Sequence, residues 1–116
     1  MTHAYDPAFV FDSLCVSLVK CQQTGKKQPD TKQIADYLIG WLGKEKYDEV
    51  MNSREIEDLI RANAEVFALI DILRKKGGSP DAVRIDNSGI KRFRAKQALQ
   101  KKFFGTELKE RKYGAK

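Results

Sequence analysis

Residues 53–76 read SREIEDLIRANAEVFALIDILRKK, and no strand alternation runs through them. Ile56, Leu59, Ile60 and Val66 recur at the three- and four-residue steps of an amphipathic helix. Asn52 and Glu55 stand at capping-box spacing ahead of the apolar run, and Arg74, Lys75 and Lys76 place cations in the last turn, where the helix dipole favours them. Gly77 and Gly78 then stop the helix. From Val66 to Leu73 only Asp71 interrupts the apolar residues. A helix apolar on every side is enclosed by other helices or by a second subunit. The pattern predicts a central core helix, and a homodimer packed along 53–76 is one way to cover it.

Helices are expected on both sides of this segment. Asp6 followed by Pro7 is an N-cap with proline at the first helical position, and Phe11, Leu14, Cys15 and Leu18 carry a stripe that Gly25 ends. After Pro29, either Asp30 or Thr31 can cap a second helix with Ile34, Leu38 and Trp41 on one face, closed by Gly43. Lys44 to Met51 is a short third helix or a loop. Beyond Ser79 and Pro80, the run Ala82, Val83, Arg84, Ile85 reads as a short strand or an extended crossing, with no partner strand in view. Asn87, Ser88 and Gly89 make a turn that caps a final helix over about 89–104, ended by Gly105. With 116 residues, 41% of them hydrophobic, the chain holds one core and not two. The expected fold is an all-α, compact single-domain bundle of four to five helices over 1–105, followed by a charged, flexible tail over 106–116.

Function classes are narrowed by inventory. The one histidine, His3, lies near the start of the chain in a segment expected to be mobile, a poor place for a general base. Asp6, Asp12, Asp30, Asp36, Glu55, Glu57 and Asp58 read as caps, first turns or solvent faces, so no enzyme is expected. Neither a Walker pattern nor a glycine-rich strand-to-helix turn occurs, and the EF-hand and paired Cys–His metal patterns are missing, so no cofactor or metal is expected. Cys15 and Cys21 stand six apart on one helix, too far round and along it for a disulfide, and read as free thiols in a reducing compartment. No basic–apolar leader and no membrane-spanning run is seen, which points to a cytoplasmic protein with no membrane partner.

Charge is distributed unevenly. Residues 1–80 hold 11 basic and 12 acidic side chains, whereas residues 81–116 hold 11 and 4, so the last third carries the whole net +6. At about 100° per residue, Lys91, Arg94, Lys101 and Lys102 share one arc of the final helix, with Ala95 and Ala98 between them. Ile90, Phe93 and Phe104 form an apolar stripe, and Arg92 and Lys96 lie with Leu99 and Phe103 on a third, mixed side. A basic ridge broken only by alanines lets the backbone approach a phosphate array closely. A solvated helix whose lysines lie over the core accounts for the same residues.

The leading expectation is a non-catalytic nucleic-acid-binding or accessory protein, a regulator, binding DNA ahead of RNA. Phosphate contacts come from Lys91, Arg94, Lys101 and Lys102, with Arg84, Arg92, Lys96 and the tail residues Lys109, Arg111 and Lys112 adding charge. The alternative is an adaptor or inhibitor that docks an acidic protein, with Phe103, Phe104 and Tyr113 as apolar anchors. Thr31 to Asn52 has some look of a helix-turn-helix. The apolar run through Ile39, Gly40, Trp41 and Leu42 leaves no room for its turn, and Glu45, Asp48 and Glu49 would repel phosphates.

Overall fold

The computed structural model describes residues 6–76 and 82–108, folded as an all-α bundle with no strand among the described residues. The helices are α1 (Pro7–Thr24), α2 (Pro29–Leu42), α3 (Lys44–Met51), α4 (Arg54–Lys76) and α5 (Ala82–Phe104). None of them is long and apolar enough to cross a membrane.

Local chemistry sets most of the boundaries. Pro7 occupies the first turn of α1, where its missing N–H leaves no bond unmade, and Gly25 closes the helix at φ 70°. α2 opens one residue earlier than Asp30, at Pro29, and neither Asp30 nor Thr31 caps it. The Ser17 hydroxyl instead donates to Asp30 Oδ1 at 3.0 Å and shares a short hydrogen bond with Thr31, tying α2 to α1. A single residue, Gly43 at φ 92°, separates α2 from α3, a conformation that a side chain would strain. α4 is capped by Ser53, whose Oγ accepts from the Ile56 N–H at 3.2 Å, in place of the expected Asn52–Glu55 box.

Two sequence expectations change. The final helix begins at Ala82, not at Gly89, so Arg84 lies in a helix turn and the Asn87–Ser88–Gly89 run lies inside the helix. The central element is α1, which packs against α2, α4 and α5 and buries Ala8, Phe11, Leu14, Cys15 and Val19. α4 is less enclosed than its sequence suggests, for Ile70 stays 39% exposed and Asp71 faces solvent. Both helices meet three others, and the difference lies in how much of each is buried: seven residues of α1 are buried, whereas Ile56, Leu59, Asn63 and Leu69 are the buried ones among the described side chains of α4.

Long-range bonds give the relative directions. Glu55 pairs with Lys102 and Glu65 with Lys91, so α4 and α5 run antiparallel. The Ala8 N–H donates to Gln100 Oε1 while Asp12 meets Arg92, so α1 is antiparallel to α5 as well. Beyond α5 the described chain turns back: Gln100 donates to Thr106 Oγ1, the Leu108 N–H donates to Gln97 Oε1, and Leu108 is buried. The packed chain thus reaches three residues past the expected boundary at 105, and Lys109, Arg111, Lys112 and Tyr113 lie outside the described residues.

Both cysteines are free thiols on α1. Burial, with the Asp12 carboxylate adding to it and Arg92 opposing it, pushes the Cys15 thiol up from 9.0 to about 12. Cys21 is only half-buried. Iodoacetamide at pH 8 is therefore expected to modify one thiol per native chain, Cys21, and both after denaturation, as read by mass spectrometry. Because the folded chain holds the Cys15 proton more tightly, that stabilisation is complete below pH 9 and is lost as pH rises toward 12.

Candidate nucleic-acid interface

The outer ridge of α5 is built by helical spacing and displayed by the apolar stripe behind it. Phe93, Leu99 and Phe104 dock the helix on the core, which turns Lys91, Arg94, Lys101 and Lys102 outward, all four exposed. Alongside lies a shallow furrow between α4 and α5, about 410 Å³, with Arg61 and Glu65 on the α4 side and Arg94, Ala95 and Ala98 on the other.

Carboxylates of α4 reach two of the four ridge cations. Lys91 Nζ is 3.5 Å from Glu65 Oε1 and Lys102 Nζ is 3.1 Å from Glu55 Oε1, with the two lysines 63% and 55% exposed. The Lys102 hydrogen bond holds the Glu55 carboxyl below the usual carboxylate range. Such exposed pairs contribute little to stability and exchange readily for another anion. Arg94 and Lys101 make no ion pair among the described residues. Arg61, which the sequence reading did not single out, joins the same face and is paired with Asp58 at 3.5 Å.

Arg92 and Lys96 are separated from the ridge by the turn of the helix and point inward. Arg92 holds Asp12 by two hydrogen bonds, Nη2 to Oδ2 at 2.6 Å and Nε to Oδ1 at 3.2 Å, and Lys96 Nζ lies 3.6 Å from Oδ2. Asn63 on α4 donates to Oδ1 at 2.9 Å. Asp12 is buried, not on the solvent face expected from sequence, and it joins α1, α4 and α5. Its position was open to inspection, since it stands one turn from Ala8 and Cys15 and two from Val19, all fully buried. Arg84 falls within α5, but its side chain lies outside the described residues.

The helix-turn-helix candidate has the wrong linker, one residue where three or four are needed. Its cations are also taken: Lys44 pairs with Asp48 at 2.7 Å and Lys46 with Glu49 at 3.5 Å. Of the expected aromatic anchors, Phe103 and Phe104 pack against the core. Phe104 packs 6.5 Å from the Phe11 ring, and Phe103, half-buried, lies under Lys46 and Lys102. Comparison of the chain with protein-family models, with curated proteins and with solved structures finds no match.

Proposed function

We propose that the chain is a non-catalytic nucleic-acid-binding protein that lays the outer ridge of α5 along a phosphate backbone. The observation that carries this reading is the pair Arg94 and Lys101, exposed cations with no carboxylate partner among the described residues, two turns and ~10.5 Å of helical rise apart on one face. Lys91 and Lys102 flank them and join when a phosphate displaces Glu65 and Glu55. The alanines at 95 and 98 keep the ridge low. Among the described residues no exposed aromatic stands on the ridge to stack on an unpaired base, and Phe103 is half-buried beneath Lys102, which favours duplex DNA over single strands. Contacts of this kind position a protein on DNA without reading its sequence.

Fluorescence anisotropy with a short labelled DNA duplex, a single strand and an RNA hairpin across a salt series tests the proposal. Each phosphate neutralised contributes a slope of about −0.9 in log affinity against log salt, so Arg94 and Lys101 alone give about −2 and all four cations about −4. Glu55→Gln with Glu65→Gln releases the two lysines and is expected to tighten binding and steepen the slope. Replacing Lys91, Arg94, Lys101 and Lys102 by Ala is expected to abolish binding. Unchanged affinity in that variant, or no binding at low salt, rejects the proposal.

The mixed signs along the furrow, with Asp58 and Glu65 set among Arg61, Lys91 and Arg94, favour a second reading, an acidic protein partner with its own interspersed cations. Copurification of one acidic protein after nuclease treatment supports that reading.

A further inference from the structure

A groove about 550 Å³ in volume lies between α1, α2 and α3, and no described residue of α5 lines it. That volume falls in the range of small-ligand sites, ~300–1,000 Å³. We propose that this groove binds a medium-chain carboxylate amphiphile, an unbranched apolar chain ending in one carboxylate.

The apolar and charged residues of the groove are sorted to opposite ends. Leu14, Leu18 and Cys21 follow one another along α1 at steps of four and three residues, the spacing of one helix face. Ala35 joins them from α2, and Tyr47 and Met51 from α3. Tyr47 stands at the far end, for its ring stacks on Phe11, three residues before Leu14. Thr31 stands at the other, with its Oγ1 3.9 Å from Cys21 Sγ. Past Cys21 the wall passes to the α1–α2 loop and the first turn of α2, where Lys27, Gln28 and Lys32 take the place of the apolar residues. Leu14 is buried, and the other five apolar side chains are half-buried. Apolar surface gathered in a concavity gains by being covered.

Charge sets the head group. Among the described residues no carboxylate lines the groove. Lys27 is exposed on the loop and has no ion pair among the described residues. Lys32 pairs with Asp36 at 2.8 Å, both side chains largely exposed, and such a pair exchanges readily for another anion. Asp30, also in the first turn of α2, is bound by Ser17 and lines a separate groove beside Phe9. A carboxylate at this end therefore meets two ammonium groups against one competitor, Asp36. From Leu14 to Cys21 the groove follows ~10.5 Å of helical rise. An extended chain of roughly nine carbons covers that distance, which sets the ligand's length.

The test uses decanoate, added to the folded full-length chain. Calorimetric titration is expected to give one site per chain, and iodoacetamide alkylation of Cys21, on the groove wall, is expected to slow in proportion to the bound fraction. Octanoate, with two fewer methylenes to bury, is expected to bind ~15-fold more weakly. Lys27→Glu is expected to weaken decanoate about fivefold and to strengthen decylammonium by a similar factor. Ala35→Trp fills the groove and is expected to abolish decanoate binding. Should the tryptophan variant fail to fold, Lys27→Glu, on the exposed loop, carries the test. Unchanged decanoate affinity in Lys27→Glu overturns the carboxylate assignment. No saturable binding, full-strength binding in a folded Ala35→Trp, or binding that leaves Cys21 alkylation at its original rate overturns the site. A light-scattering mass of two chains that Ala35→Trp returns to one makes the groove a contact between copies and overturns the proposal as well.

Discussion

Replacing Asp12 by Ala is expected to lower the free energy of unfolding by about 3 kcal/mol. The side chain is 6% exposed and accepts from Arg92 and Asn63 while lying within ion-pair reach of Lys96, itself buried. Removing the carboxylate leaves an ammonium and a guanidinium side by side in a poorly solvated place, where like charges repel. Urea unfolding followed by circular dichroism gives the change as a lower midpoint at unchanged slope. The triple replacement Asp12→Leu, Arg92→Met, Lys96→Met carries the opposite expectation. With every charge of the cluster gone and side chains of similar volume in place, stability returns to that of the parent or exceeds it. A loss below about 1 kcal/mol in Asp12→Ala contradicts the description of this cluster as mutually dependent.

Phe11→Ala is expected to cost about 4 kcal/mol, the range found when a large aromatic is truncated in a core. Phe11 is fully buried on α1, with the Tyr47 ring of α3 stacked 6.1 Å away and the Phe104 ring of α5 at 6.5 Å. Its removal empties the place where three helices meet, and the neighbours are anchored on separate helices and collapse only in part. Against a total stability of about 5–15 kcal/mol for a domain of this kind, such a loss brings the chain near unfolding at room temperature. A fall in melting temperature of roughly 15 °C is the expected reading. Ile34→Ala, at a half-buried position on α2, is expected to lower it by less than half as much.

Features governed by near neighbours were legible in the sequence. Pro7, Gly25, Pro29, Gly43 and Gly105 mark helix ends because they act through backbone geometry at their own positions, and the structure has helix ends at each. The start of α5 was misread because Asn87, Ser88 and Gly89 are weak helix formers in isolation. In the fold Ser88 is buried and tertiary context outweighs that preference. Of the basic residues proposed to meet a ligand, Lys91, Arg94, Lys101 and Lys102 share a face as helical spacing required, and the same spacing set Arg92 and Lys96 apart. What those two turn toward was not legible, since Asp12 lies 80 residues earlier in the chain. The pairing of Glu55 with Lys102 and of Glu65 with Lys91 was hidden for the same reason, because only the docking of two long helices brings those residues together.

The span between Asp12 and its cations also orders events during synthesis. Asp12 leaves the ribosome 80 residues before Arg92, and Ala8 leaves 92 residues before Gln100. Until those residues emerge, the buried face of α1 carries a carboxylate with no cation to meet it and a backbone N–H with no acceptor. A nascent chain that stops short of Arg92 cannot seal its core and presents apolar surface to chaperones and proteases. Completion of the core is thus coupled to translation of α5.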